Sequence, residues 1–344
     1  MEDIKNTEEY YDDNLDNHPT YYDGITEDDD SDDRYYYELD DVEKEKIDKK
    51  VKSDYTCFMI EDMNFFPCKR TMTNIPCGYY RIRKDYTKGI FLRKQDVNLS
   101  KLVLLEHCPL HKTLMDSIIH FWNSKEEYQK RGKIYKKNIL LYSAPGMGKT
   151  SLINLVIDDL IKNRNGFVIA LSDENDILNF NEIMSYIRAI MSERPIVVVI
   201  EDFDNFCGGN KSAIETELLN ILDGNQKYSN MVIIATTNYP ETLNDRYINR
   251  PSRFNLLLEY PYPDADLRRE FLIKTNLKED IDKIDLDYIV KRTEGYTIDF
   301  LNELSMSIFI NHEDIETALS KMDNMISNKV IKYQKPNHSK IGIH

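Results

Sequence analysis

Long apolar runs are missing from this chain of 344 residues: none approaches the ~20 residues that a membrane-spanning helix needs. No apolar segment follows Met1, so a secretory signal peptide is not expected and the chain reads as soluble and intracellular. Cysteine is scarce. Cys57, Cys68, Cys77, Cys108 and Cys207 are scattered, and the first three lie too far apart for a CxxC-type zinc knuckle. Reduced thiols in a cytosol-like compartment are expected. Glycine is sparse as well, beside much Ile, Lys, Asn, Asp and Tyr; that bias speaks of an AT-rich genome and not of mechanism.

Aliphatic residues are few in residues 1–50, which carry 20 acidic against 6 basic side chains. Acid runs (Glu27 to Asp30, Asp32-Asp33) are mixed with Tyr10-Tyr11, Tyr21-Tyr22 and Tyr35-Tyr36-Tyr37. Such a segment cannot bury enough surface to offset its ordering entropy, so an acidic disordered tail is expected. A sharper reading makes it a docking arm for a basic partner, with the tyrosines as anchors or phosphorylation sites. Nearly all of the net charge of −15 belongs to this tail. The remainder is close to neutral and gives no support for a large nucleic-acid-binding face.

What is present begins at about Val51. Short aromatic or β-branched runs around Tyr55–Ile60, Gly78–Ile82 and Gly89–Leu92 predict a small β-rich module over 51–110. Lys69, Arg70, Arg81, Arg83, Lys84, Lys88, Arg93 and Lys94 make it locally basic. A solvated face, a nucleic-acid surface or a seat for the acidic tail would each account for that. Helical spacing of Leu114, Ile118, Phe121 and Trp122 predicts a helix over 114–134, with Trp122 as packing material.

The stretch Lys137 to Ile153, KNILLYSAPGMGKTSLI, runs from an apolar strand through Pro and two Gly into an amphipathic segment. That order predicts a strand, an anion-holding loop and a helix N-terminus. Ser143, Ala144, Pro145, Gly146, Met147, Gly148, Lys149, Thr150 and Ser151 are the expected nucleotide-phosphate site. Lys149 would reach the β- and γ-phosphates and Thr150 would offer its hydroxyl to Mg²⁺. Ser143 stands where the usual pattern has Gly, which is tolerable if its φ need not be positive.

Beyond the loop, strands are predicted at 166–171, 195–200, 231–235 and 255–259, with helices at 149–162, 181–193 and 214–222. Strands alternating with helices imply a doubly wound parallel sheet. The apolar strand 196–200 ends in Glu201-Asp202-Phe203-Asp204, carboxylates placed to hold Mg²⁺ and polarise water. Thr236-Thr237-Asn238 closes the next strand, and Arg250-Pro251-Ser252-Arg253-Phe254 precedes the fifth. A guanidinium there suits a phosphate with spread negative charge. Residues 264–327 read as helical and 328–344 as a frayed, flexible tail.

SAPGMGKT, IVVVIEDFDNF, IIATTN and RPSRF, in this order and at these spacings, resemble the AAA+ ATPases over about 110–327. Residues 121–206 look more narrowly like the mitochondrial AAA chaperone group that translocates the Rieske iron–sulfur subunit. The resemblance implies a P-loop α/β fold: a five-stranded parallel sheet over 111–263 and a C-terminal helical lid over 264–327. It further implies ATP and Mg²⁺ as ligands, Glu201 on the metal side with Thr150, Asp202 as the catalytic carboxylate and Asn238 as first sensor. Arg250 and Arg253 would be fingers supplied to a neighbour in a homo-oligomeric ring, a hexamer, acting on a protein client. Asp202 is one methylene shorter than the usual Glu. Thr293 to Asp299 lacks the small Gly-Ala pair that the family sets against the nucleotide, and Ser172 to Leu178 lacks an aromatic pore loop. The subgroup's membrane helix and targeting segment are not seen, so its mitochondrial role is not carried over. Two other readings stand beside a remodelling motor: a nucleic-acid-associated AAA+ factor using 51–110, and a scaffold that binds ATP without turnover.

Overall fold

The computed structural model describes residues 57–61, 64–68, 71–85, 87, 89–97, 99, 102–207, 212–224 and 228–327. The tails expected at 1–50 and 328–344 lie outside the described residues. Contacts divide the chain into two compact units, with the break between Met72 and Thr73. In the first unit, β1 (Cys57–Glu61) and β2 (Asn64–Cys68) form an antiparallel hairpin whose register sets Cys57 opposite Cys68.

The second unit is built on one sheet. Its strands are β3 (Gly78–Asp85), β4 (Gly89–Gln95), β5 (Lys136–Tyr142), β6 (Phe167–Ala170), β7 (Ile196–Ile200), β8 (Met231–Thr237) and β9 (Leu256–Glu259). They lie in the order β4-β3-β6-β7-β8-β5-β9, all parallel except the β3–β4 pair. The five strands expected are therefore seven. β3 and β4, which composition assigns to a separate basic module, are the outermost pair of this same sheet. Their half-buried alternation, with Tyr80 and Ile82 inward, is that of edge strands and resembles the pattern of an independent antiparallel module.

Period-2 alternation explains why the central strands are apolar at every position. Ile139, Leu141, Val197, Val199, Val232 and Ile234 enter one core, while Leu140, Ile196, Val198, Ile200, Ile233 and Ala235 enter the other. Helices α1 (Pro109–Asn123), α2 (Lys125–Lys130) and α3 (Lys149–Arg164) precede β6 in the chain. The helix predicted over 114–134 is thus two, parted at Ser124, whose hydroxyl donates to the His120 carbonyl at 2.6 Å. Trp122 is half-buried and meets Phe121 edge-on at 4.9 Å.

α4 (Glu174–Ile190) starts seven residues before the position expected for it, because Asp173 caps it by accepting from the Asp176 N–H. Asp176 is wholly buried against Arg81 and Arg83 of β3, with an Arg81–Asp176 distance of 2.9 Å. Two members of the basic set are therefore spent inside the fold. α5 (Ser212–Asp223) and α6 (Asp245–Ile248) complete the sheet's cover. After β9 come α7 (Ala265–Thr275), α8 (Lys278–Ile281), α9 (Leu286–Arg292), α10 (Ile298–Ser305), which runs on into a π turn at Met306–Ile310, and α11 (Ile315–Ser327). Among the described residues no helix is long and apolar enough to cross a membrane.

One carboxylate ties this helical end to the segment before α1. Glu270 accepts from the Glu106 and His107 N–H groups at 2.6 and 2.9 Å and pairs with Lys274 at 2.7 Å. Burial alone would raise its pKa, but Lys274, the two backbone donors and the His107 ring outweigh it and bring the value to about 2 from 4.5. A carboxylate with a depressed folded pKa contributes stability above its unfolded pKa and loses it as pH falls toward the folded one. Glu270→Gln should cost about 1–3 kcal/mol at pH 7, the worth of charged hydrogen bonds. Urea unfolding at several pH values should show that gap closing between pH 4.5 and about 2; a gap that does not vary with pH would refute the assignment.

Candidate functional site

The C-terminal ends of three neighbouring strands, β7, β8 and β5, converge on one site. β5 ends at Tyr142, and the chain then curls through Gly146 and Gly148 at φ values of +77° and +91°. L side chains rarely take such values, so both glycines serve the curl. The loop returns as α3, whose first N–H groups have no partners within the helix. Ala144 and Met147 are buried and pin the loop to the core, while Pro145 and Ser151 are exposed. Ser143 has a negative φ, so glycine is not required there.

Ser143 does more than fill that place. Its hydroxyl donates to the Ala144 carbonyl at 2.8 Å and accepts from Lys149 Nζ at 2.7 Å. Lys149 Nζ also donates to Asn238 Oδ1 at 2.6 Å and to the Ser143 carbonyl at 3.3 Å. Burial lowers the Lys149 pKa to about 8, against the opposing pull of Asp202, Asp204, Asp299 and Glu201. Four carboxylates therefore surround one ammonium.

Thr150 Oγ1 donates to Glu201 Oε2 at 2.9 Å, which brings two hard oxygen donors together at the end of β7. Mg²⁺ is commonly held by one or two protein oxygens together with substrate phosphates, and this pair fits that role. Among the described residues no larger group of His, Cys, Asp and Glu suits a metal ion. Asp202 is exposed and takes φ +48°, a left-handed value that Asp tolerates better than most residues. Its N–H donates to Thr236 Oγ1 at 3.3 Å, and Asn238 Nδ2 donates to its carboxylate at 3.4 Å. Thr237 Oγ1 donates to Asp204 at 2.5 Å and accepts from the Tyr239 N–H at 2.9 Å. Thr236 and Thr237 thus hold the acidic turn against β8, a role that reading TTN for its Asn alone passes over.

The two arginines part company. Arg250 is exposed and has no hydrogen-bond or ion-pair partner for its guanidinium among the described residues. Arg253 is 5 % exposed and points into its own chain. It makes a two-pronged pair with Asp223 at 2.7 Å on each prong and also donates to the Arg246 carbonyl. It is held within its own chain, where the finger expectation would have it open at the surface. The Asp223 carboxylate and the Arg246 carbonyl capture it, and neither is evident from the RPSRF stretch alone. A further residue, Asp299 of α10, touches the phosphate loop: its N–H donates to the Gly146 carbonyl at 3.0 Å.

Residues 139–262 match the family described as ATPase family associated with various cellular activities (AAA). Curated relatives include an ATP-dependent zinc metalloprotease FtsH of Aster yellows witches'-broom phytoplasma, 27% identical over 67% of this chain and 39% of that protein. A putative cell division cycle ATPase of Plasmodium falciparum is 28% identical over 54% of this chain and 16% of its own length. The ATPase family gene 2 protein of Saccharomyces cerevisiae is 29% identical over 46% and 22%. The chain thus spans two fifths or less of these relatives. The AAA family uses ATP and Mg²⁺, and the phosphate loop and the Thr150–Glu201 pair lie within the matched stretch or on its strands. Residues 139–262 are an AAA-family ATPase domain, homologous at low identity to FtsH-type AAA+ proteins.

Proposed function

We propose that this chain is a Mg²⁺-dependent ATP-hydrolysing motor, working at the subunit interfaces of a homo-oligomeric ring, a hexamer, to remodel or chaperone a protein client. The supporting observation is the convergence of Lys149, the Thr150–Glu201 pair and the Asn238–Asp202 pair on one phosphate loop. With four carboxylates around one lysine, a bare polyphosphate would be repelled. Mg²⁺ held by Thr150 and Glu201 would supply the missing positive charge. A phosphate that draws Lys149 away from Asn238 releases that amide to orient water beside Asp202.

In the chemical step the water oxygen bonds to the γ-phosphorus while Asp202 takes its proton. The bond from the γ-phosphorus to the bridging oxygen breaks, leaving ADP and phosphate. Asp202 is short, so the water sits close to the acidic turn. Arg250 of a neighbouring chain is the finger that meets the charge spreading over the γ-phosphoryl oxygens. Arg253 anchors the loop that carries it. The turn from β6 into α4 is brief and bound by Arg81 to Asp173 at 2.6 Å, which favours work on a client's surface over threading through an aromatic pore loop. The finer resemblance to the Rieske-translocating chaperone group extends to residues 121–206 only.

Two outcomes test this reading. Because the free Lys149 ammonium titrates near pH 8, affinity for Mg·ATP should fall about tenfold per pH unit above that value and vanish in Lys149→Ala. Fluorescent-nucleotide titration from pH 7 to 9.5 measures this, and a flat profile would contradict it. Turnover per chain should rise with protein concentration as the particle assembles. Arg250→Ala should lower it on the order of 10³-fold with nucleotide affinity intact. Arg253→Ala should instead destabilise the fold by roughly 1–3 kcal/mol, the worth of the charged hydrogen bonds it makes to the half-buried Asp223. Tight binding without turnover at any concentration would point to a scaffold.

A further inference from the structure

Of the four carboxylates that act on Lys149, the hydrolytic scheme uses Glu201 and Asp202, and Asp204 is held by Thr237, which leaves Asp299. It stands in the first turn of α10, and its backbone N–H donates to the Gly146 carbonyl at 3.0 Å. Its side chain lies over Gly146 so closely that a Cβ there would meet Asp299 Oδ2 at 2.9 Å and Cγ at 3.1 Å. The carboxylate is exposed and has no hydrogen-bond or ion-pair partner of its own among the described residues. An ionised carboxylate only accepts hydrogen bonds, so any group that settles against it favourably must donate.

The topology says which end of a nucleotide comes near it. β5, which leads into the loop, lies between β8 and β9. Asp202, Glu201 and Asn238 come from the β7–β8 side, so the γ-phosphate faces that way. The nucleoside therefore leaves the loop on the opposite side, toward β9 and the helices that follow it, where Asp299 sits. Phosphate oxygens cannot donate to Asp299. Ribose hydroxyls can, and carboxylates bind them in other nucleotide sites.

We infer that Asp299 is a specificity-determining residue that accepts hydrogen bonds from the ribose hydroxyls of the bound nucleotide and so selects ribonucleotides; this rests on the nucleotide reading of the site. The same carboxylate repels the phosphates, so its contribution is a preference between sugars and not a gain in affinity for every nucleotide.

The test is equilibrium binding of ATP and of 2′,3′-dideoxy-ATP, with Mg²⁺, to the full chain as wild type, Asp299→Asn and Asp299→Ala. Wild type should prefer ATP by about tenfold or more, the worth of a charge-assisted hydrogen bond. Asp299→Ala should bring the ratio to about one, and Asp299→Asn, which keeps one acceptor oxygen, should lie between. An unchanged ratio in Asp299→Ala overturns the inference, including the case where both nucleotides bind equally tighter because only repulsion was lost. Binding of neither nucleotide to wild type would overturn the nucleotide reading itself, a result distinct from an unchanged ratio.

Discussion

A buried ammonium among carboxylates governs the geometry of this molecule. Lys149 sits at the first turn of α3, and acceptors reach its ammonium from two strands. Ser143 supplies one from the end of β5, and Asn238 supplies another from the end of β8. Both strands must therefore end in register, which their seven-residue parallel pairing from Lys136–Met231 to Tyr142–Thr237 ensures. The carboxylates are placed by the same means, since Thr236 and Thr237 tether the acidic turn after β7 to β8. Desolvation makes such a cluster costly when incomplete and strongly coupled when its partners are present.

Elements whose signal is local were legible in the sequence. β7 and β8 read as strands because both faces of the sheet are covered, leaving an unbroken apolar run. The phosphate loop read as such because Gly146, Gly148, Lys149 and Thr150 stand in chemical order. What escaped depends on partners distant in the chain. β3 joins the ATPase sheet through β6, nearly ninety residues on in the register Gly78–Phe167, and no local pattern announces that pairing. Arg253 looks like its neighbour Arg250 until Asp223 is placed beside it. The value of Ser143 was hidden for a related reason. Read as a missing glycine it suggests a looser loop, whereas its hydroxyl closes a hydrogen-bond chain that glycine could not.

The acidic turn shows the same dependence at close range. Asp202 in a left-handed conformation would be an isolated strain in an open loop. Here Thr236 and the short 3₁₀ turn Phe203–Phe206 over-determine it, with Phe203 packed edge-on against Tyr247 and Phe254. The Asp202 side chain is thereby aimed by packing behind it, and few contacts are needed in front, on the side where the proposed function places the substrate.

Asn138 has a consequence of another kind. Its side-chain amide donates to the Leu222 and Arg253 carbonyls, and its backbone exchanges hydrogen bonds with Asn255 at 2.9 Å each way. The loop that bears Arg250 is thus bolted at its base to β5, whose other end is the chain's own phosphate loop. A pull on Arg250 is carried along a single extended strand, the stiffest short path that a polypeptide offers, with no hinge on the way. In the ring proposed for this chain, strain at a subunit boundary beside Arg250 would reach the phosphate loop along that one strand, across the body of the same chain.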